Sequence, residues 1–208
     1  MDFSDLRIIS YLFLPFLSFL ILIFFGSQIS NKSHLIGLPI IGITLFNSFL
    51  LLINADDAIL SNSFEWFNTG SFIVSLGYFI DNVSIIMLCV VSLISFLVHL
   101  YSTEYMKGDP RYSRYYAFLG IFTFSMNGII LSDSLIMMYI FWELVGLSSF
   151  LLIGFWFEKN KPPLAANKAF LTNRVGDIGM FIGIMILFFS IGTFNIMGLI
   201  NDIDSNSI

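Results

Sequence analysis

Six times along this sequence, an apolar run reaches the length at which a helix crosses a bilayer. About 20 residues of helix span roughly 30 Å of hydrocarbon. The runs cover about residues 8–25, 35–53, 83–105, 115–131, 135–157 and 165–191. Lipid offers no partner to an open strand edge, so these segments are expected as helices. Composition agrees. Hydrophobic residues make up 57% of the chain and charged ones 11%, where a soluble domain carries about a quarter charged. Such a chain is neither disordered nor a basic nucleic-acid binder, and its one cysteine, Cys89, excludes a disulfide scaffold. The expected fold is an all-α polytopic membrane protein of about six transmembrane helices in one membrane domain. The first run does not read as a cleaved signal. It is longer than an h-region, and Asp2 and Asp5 stand where basic residues belong.

The joints between runs are short and polar, with one exception. Residues 54–82 hold Asp56, Asp57, Glu65 and Asp81 beside Trp66 and Tyr78. Alternating pieces flank Asn68-Thr69-Gly70, a hairpin-turn signal. The stretch is expected as a hairpin-like cap between helices two and three, against the alternative of an unstructured loop. Charge assigns sides. Lys32, Lys107, Arg111, Arg114, Lys159, Lys161 and Lys168 fall after runs one, three and five, which is seven of nine basic residues. Positive loops stay inside, so the cap and both termini are expected on the extracytoplasmic side.

Three charges remain inside the runs. Glu143 lies near the middle of the fifth, in Phe141-Trp142-Glu143-Leu144-Val145-Gly146. A carboxylate there costs at least ~2.5 kcal/mol on insertion scales, so it needs a partner, a proton or water. Burial favours the neutral acid and a nearby cation favours the carboxylate, so a moving cation can load and unload it. That is the chemistry of a proton relay. The alternative is a permanently protonated glutamic acid making one structural hydrogen bond. Arg174 and Asp177, three apart on the sixth run, face one side and can pair along the helix, which is often a purely structural device. If runs five and six pack together, Glu143 and Asp177 differ by roughly 6 Å in depth at about 1.5 Å per residue. His99, near the inner end of the third run, could pass protons inward, or could simply bond a neighbour.

Other residues read as packing. Gly146, Ser148, Ser149 and Gly154 suit close helix contact, and Asn47 and Asn127 suit interhelical hydrogen bonds. Pro15 either kinks helix one or is accommodated by its neighbours. No ligand spacing for a metal, Gly-rich phosphate loop or nucleophile–base motif stands out.

The run His99-Leu100-Tyr101-Ser102-Thr103-Glu104-Tyr105-Met106, followed by Gly108-Asp109-Pro110-Arg111-Tyr112, resembles one protein family. So do the fifth run, from Phe141 through Trp156, and Asn173-Arg174-Val175-Gly176-Asp177-Ile178-Gly179. The family is subunit L of the NADH–quinone oxidoreductases (complex I), called NADH dehydrogenase subunit 5 in mitochondria. The similarity runs from about residue 76 to 187; the first two helices and the cap agree in layout only. The resemblance implies an antiporter-like membrane subunit that takes part in proton translocation. It maps the family's fifth-helix glutamate, a key proton-channel residue, onto Glu143, and the family's arginine and aspartate onto Arg174 and Asp177. It implies other complex I membrane subunits as partners. It also implies that NADH, FMN, iron–sulfur clusters and quinone belong to partner subunits, with no cofactor in this chain, and a bacterial or mitochondrial inner membrane. Leu144 departs from the glycine of many members. The family continues through further helices with buried lysines, so the chain is expected as an N-terminal fragment or split-gene piece. The homologous large subunit of a multisubunit sodium/proton antiporter is the nearest alternative, and a noncatalytic membrane scaffold is an alternative of another class.

Overall fold

A computed structural model describes residues 3–29, 32–54, 59–68 and 73–206. Asp2, Asp56, Asp57 and the Thr69-Gly70 turn lie outside the described residues, as do the side chains of Asp5 and Asp204. The elements are α1 (Phe3–Ile29), α2 (His34–Ile53), β1 (Leu60–Asn68), β2 (Ile73–Ile80), α3 (Asn82–Tyr105), α4 (Tyr112–Leu131), α5 (Leu135–Ile153), α6 (Lys161–Ile191) and α7 (Ile196–Asn206). Five of them, α1, α2, α3, α5 and α6, are long and apolar enough to cross a membrane.

The sixth long helix, α4, is not among them; it carries Arg114 in its first turn and the buried polar residues Ser113, Thr123, Ser125 and Asn127. It sits centrally, packed on α1, α3 and α5. Each of the four buried side chains donates a hydrogen bond to a backbone carbonyl there, while Asn127 Oδ1 is left without a partner. Ser113 Oγ donates to the Gly26 carbonyl at 2.8 Å and Asn127 Nδ2 to the Tyr11 carbonyl at 2.9 Å. Asn127 thus ties α4 to α1, and Asn47 reaches Ser10 of α1 at 3.4 Å, so both asparagines bridge helices. Pro15 stays within a continuous α1. A Cβ on Gly120 would stand 3.1 Å from its carbonyl oxygen, so the two backbones meet closely there. On the other flank α2 and α3 meet through Ser48 Oγ and Ser92 Oγ at 2.7 Å.

The stretch expected as a cap is an antiparallel hairpin of β1 and β2, with an irregularity between Glu65 and Phe67. It is held to the α4–α5 joint. Tyr78 bridges Ser132, and Ser134 Oγ donates to the Ser75 carbonyl at 3.2 Å. The α6–α7 joint joins the same cluster through the Ser134–Asn195 bridge and Ile196 N–H to Asp133 O at 2.9 Å. One core cluster, Ile8, Tyr11, Ile80, Ile85, Leu88 and Leu131, closes this end of the bundle. A second, around Leu22, Met106, Tyr116 and Phe155, closes the opposite end, where the basic joints lie.

Three expectations are corrected. Helix five stops at Ile153 rather than 157. Gly154 caps it, and Phe155 turns back to be buried edge-on against Tyr115 and Phe118. The apolar run therefore continues in sequence but not in helix. Helix six starts earlier, at Lys161, where two prolines occupy its first turn, whose N–H groups need no intrahelical partner. Gly146 is not a packing contact, since a Cβ there would meet nothing within 4 Å. A further helix, α7, follows α6 over Ile196–Asn206.

Candidate functional site

The three intramembrane charges converge between α5 and α6. Glu143 stands at the middle of α5, and its Oε2 is ion-paired with Arg174 Nη1 of α6. The same Nη1 lies 4.0 Å from Asp177 Oδ2, one turn further along α6. Asp177 Oδ1 accepts a hydrogen bond from Trp142 Nε1 at 2.9 Å. Trp142 precedes Glu143 on α5, so the contacts form a closed loop across the two helices. The Arg174 guanidinium also lies over the Phe170 ring, 4.6 Å from its centroid. Tyr139–Phe181 and Phe150–Phe170 ring contacts, at 5.3 and 5.4 Å, clamp the helices on either side of the loop.

This revises the expected pairing. The i, i+3 spacing favours Arg174 with Asp177, yet the principal partner of Arg174 is Glu143 across the interface. Asp177 is held mainly by Trp142, a residue that sequence reasoning missed. Its signal was present: an indole N–H next to an intramembrane carboxyl is a donor that must be used. The structure thus brings Glu143, Arg174 and Asp177 together, and leaves His99 out. His99 is on α3, whose main partners are α2, α4 and β2. Its Nδ1 lies 2.8 Å from the Ser95 carbonyl oxygen, and its own carbonyl accepts from Tyr116 Oη at 2.8 Å. Its Nε2 is buried without a hydrogen bond.

Chemically, the loop holds one cation and two carboxyl groups. A guanidinium keeps its proton in proteins. Any proton this cluster gains or loses therefore resides on Glu143 or Asp177. Asp177 has a fixed donor in Trp142, whereas Glu143 has Arg174 alone among the described contacts. No group of three or more His, Cys, Asp or Glu among the described residues could hold a metal ion.

Two carboxyls outside the helices sit at the hairpin end. The Ser84 backbone N–H and hydroxyl, both bonded to Asp81, hold its carboxyl below the usual range and cap α3. Burial pushes the Asp133 carboxyl up; Ser75 Oγ reaches its Oδ2 at 3.3 Å, and Oδ1 has no partner.

The long apolar helices, with a carboxylate–arginine pair between α5 and α6, have counterparts among known proteins. Residues 66–116 match the family model for NADH-ubiquinone oxidoreductase (complex I), chain 5 N-terminus. Residues 132–207 match the model for the membrane domain shared by NADH:quinone oxidoreductases and Mrp antiporters. The chain is 47% identical over 131 residues to NAD(P)H-quinone oxidoreductase chain 5 of a Synechocystis strain, covering 63% of this chain and 19% of that protein. It is 42% identical over 159 residues to the chloroplastic subunit 5 of Mesostigma viride, covering 76% and 24%. The chain is thus similar to NAD(P)H-quinone oxidoreductase chain 5 proteins and spans about a fifth to a quarter of their length.

Two solved structures share the fold. A membrane-bound sulfane sulfur reductase, an archaeal respiratory membrane complex, matches with TM-score 0.78 at 14% identity, covering 92% of this chain and 39% of that one. The Mrp complex from a Dietzia species matches with TM-score 0.77 at 19% identity, covering 92% and 20%.

Proposed function

We propose that this chain is the N-terminal part of an antiporter-like subunit of a complex I type NAD(P)H-quinone oxidoreductase, and that it takes part in moving protons across the membrane. The observation that carries the proposal is the Glu143–Arg174 pair at mid-membrane, with Asp177 as a second resting place for the cation. When Arg174 rests on Glu143, the carboxylate is compensated. When Arg174 swings one helical turn to Asp177, Glu143 is left in a low-dielectric site where the neutral acid is favoured, and it takes a proton. The return of the arginine expels that proton. The chain carries no redox step in this reading. NADH, flavin, iron–sulfur clusters and quinone belong to partner subunits, and redox energy arrives as a displacement that biases Arg174.

In the same reading α4 is a sixth crossing, shielded from lipid by its neighbours. Lys32, Lys107, Arg111, Arg114, Lys159, Lys161 and Lys168 then sit at the inner end of the bundle, and the hairpin with both termini at the outer end. His99, buried on α3, is a second candidate for proton passage near the inner side.

Proton pumping by the assembled complex tests the role of Glu143. Glu143→Gln keeps the shape and removes the titratable proton, so pumping should fall at least tenfold. Glu143→Asp keeps the acid and should retain a substantial part of it. NADH oxidation with an artificial acceptor upstream of the membrane arm should survive both. A Gln variant that assembles and pumps like the parent would make Glu143 a structural hydrogen-bond former.

A further inference from the structure

At the basic end of the bundle, a cavity of about 250 Å³ opens between the start of α4, the end of α5 and the start of α6. Its walls divide into two kinds. Phe118, Phe150, Leu151 and Phe155 form an apolar wall, and Arg111 and Arg114 also line the cavity. Arg111 is the unusual member. Its side chain is only 14% exposed, and its Nε and Nη1 are buried without a hydrogen bond. The guanidinium is wedged over two rings, 5.3 Å from the centroid of Phe155 and 4.5 Å from that of Phe157. The carboxylates nearby do not satisfy it. Glu158 Oε1 lies 3.4 Å from Nη1 but forms no hydrogen bond with it, and the Glu158 side chain is largely exposed. Asp109 is used elsewhere, with Oδ1 on the Arg111 backbone N–H at 2.8 Å and Oδ2 on Trp156 Nε1 at 2.9 Å.

A desolvated guanidinium with two nitrogens unbonded, and only an exposed glutamate at ion-pair distance, suits a further anion. The apolar wall beside it suits hydrocarbon. We infer that this cavity binds one anionic phospholipid, with the phosphate between Arg111 and Arg114 and an acyl chain laid along Phe118, Phe150 and Phe155. Basic pockets between membrane helices are suited to acidic headgroups, and this one lies where the positive joints meet the ends of the apolar helices. A free phosphate uses the arginines and leaves the apolar wall bare, so the lipid is the occupant that fits both halves. The inference does not rest on the proton-relay role of Glu143, which lies at mid-membrane between the same two helices.

The test is lipid retention. The protein, with the subunits that purify with it, is washed in mild detergent, and phosphatidylglycerol is counted per chain by mass spectrometry. The parent should retain about one molecule through washing that removes phosphatidylcholine. Arg111→Gln with Arg114→Gln should cut retention at least tenfold. Lys159→Gln with Lys161→Gln removes the same charge from the same face outside the cavity and should leave it unchanged. Equal loss in both pairs, or no retained lipid in the parent, overturns the proposal. Should the arginine pair prevent folding, phosphatidylglycerol bearing a photoreactive group on its acyl chain is used on the parent. Labelling should concentrate on residues 118 and 150–157 and withstand excess inorganic phosphate. Labelling spread evenly over the helices, or abolished by phosphate, contradicts it.

Discussion

Arg174 faces two carboxylates, and its loss strands Glu143, while Asp177 keeps its bond from Trp142. Arg174→Ala should destabilise the protein by about 1–3 kcal/mol, less than breaking a fully buried pair because both side chains are partly exposed. Adding Glu143→Gln to Arg174→Ala should restore part of that, so the two changes couple by more than about 1 kcal/mol in a double-mutant cycle. Losses that simply add would show that the pair contributes nothing. Asp133 behaves oppositely. Its folded-state carboxyl holds a proton more tightly than in the unfolded chain, because burial disfavours the charge. Its stability contribution is therefore greatest at low pH and is lost as pH rises from the ordinary carboxylate range through the raised value. Asp133→Asn should raise the melting temperature by a few degrees at pH 7. The gain should vanish below the carboxylate range, and a gain constant with pH would contradict the assignment. At this scale the sequence displays Glu143, Arg174 and Asp177 as charges inside apolar runs but not their pairings. Spacing along one helix reveals Arg174 and Asp177 as neighbours, whereas Glu143 comes from another helix at a rotation no local pattern encodes. Asp133 escaped notice because a loop aspartate normally meets water. Here the hairpin and the α6–α7 joint fold over it.

The elements follow the apolar runs closely, since a span is a property of length and hydropathy that one sequence displays. Boundaries moved where tertiary contacts override local pattern. Phe155 and Trp156 are apolar enough to continue α5, yet Phe155 is buried against α4 and Trp156 turns back to bond Asp109. The central place of α4 is legible only in hindsight, as a helix with too many hydroxyls and an asparagine for lipid. Its fit to α5 is tight. A Cβ on Gly128 would fall 2.4 Å from Phe141 Cγ, at the root of the ring, so the ring cannot swing clear. Gly128→Ala should therefore cost about 1–3 kcal/mol through displacement of α5. Unchanged thermal stability in detergent would mean that the two helices separate freely. Gly146→Ala, where a Cβ meets nothing, serves as the neutral control among the described residues.

The whole molecule is a bundle with two unlike ends. The hairpin, the α4–α5 joint and the α6–α7 joint are laced together at one, and the basic joints gather at the other. Cysteines at Ser61 and at Lys159 should react with an impermeant thiol reagent from opposite sides of the membrane; reaction from one side would remove the proposed crossing of α4. Between these ends lies the loop of Glu143, Arg174, Asp177 and Trp142, and the account stands on Glu143 changing its protonation state there. Infrared difference spectroscopy of the complex, at rest against turning over, measures this directly. The account predicts a protonated-carboxyl band that changes during turnover in the parent and is missing from Glu143→Gln. The same band in both would contradict it.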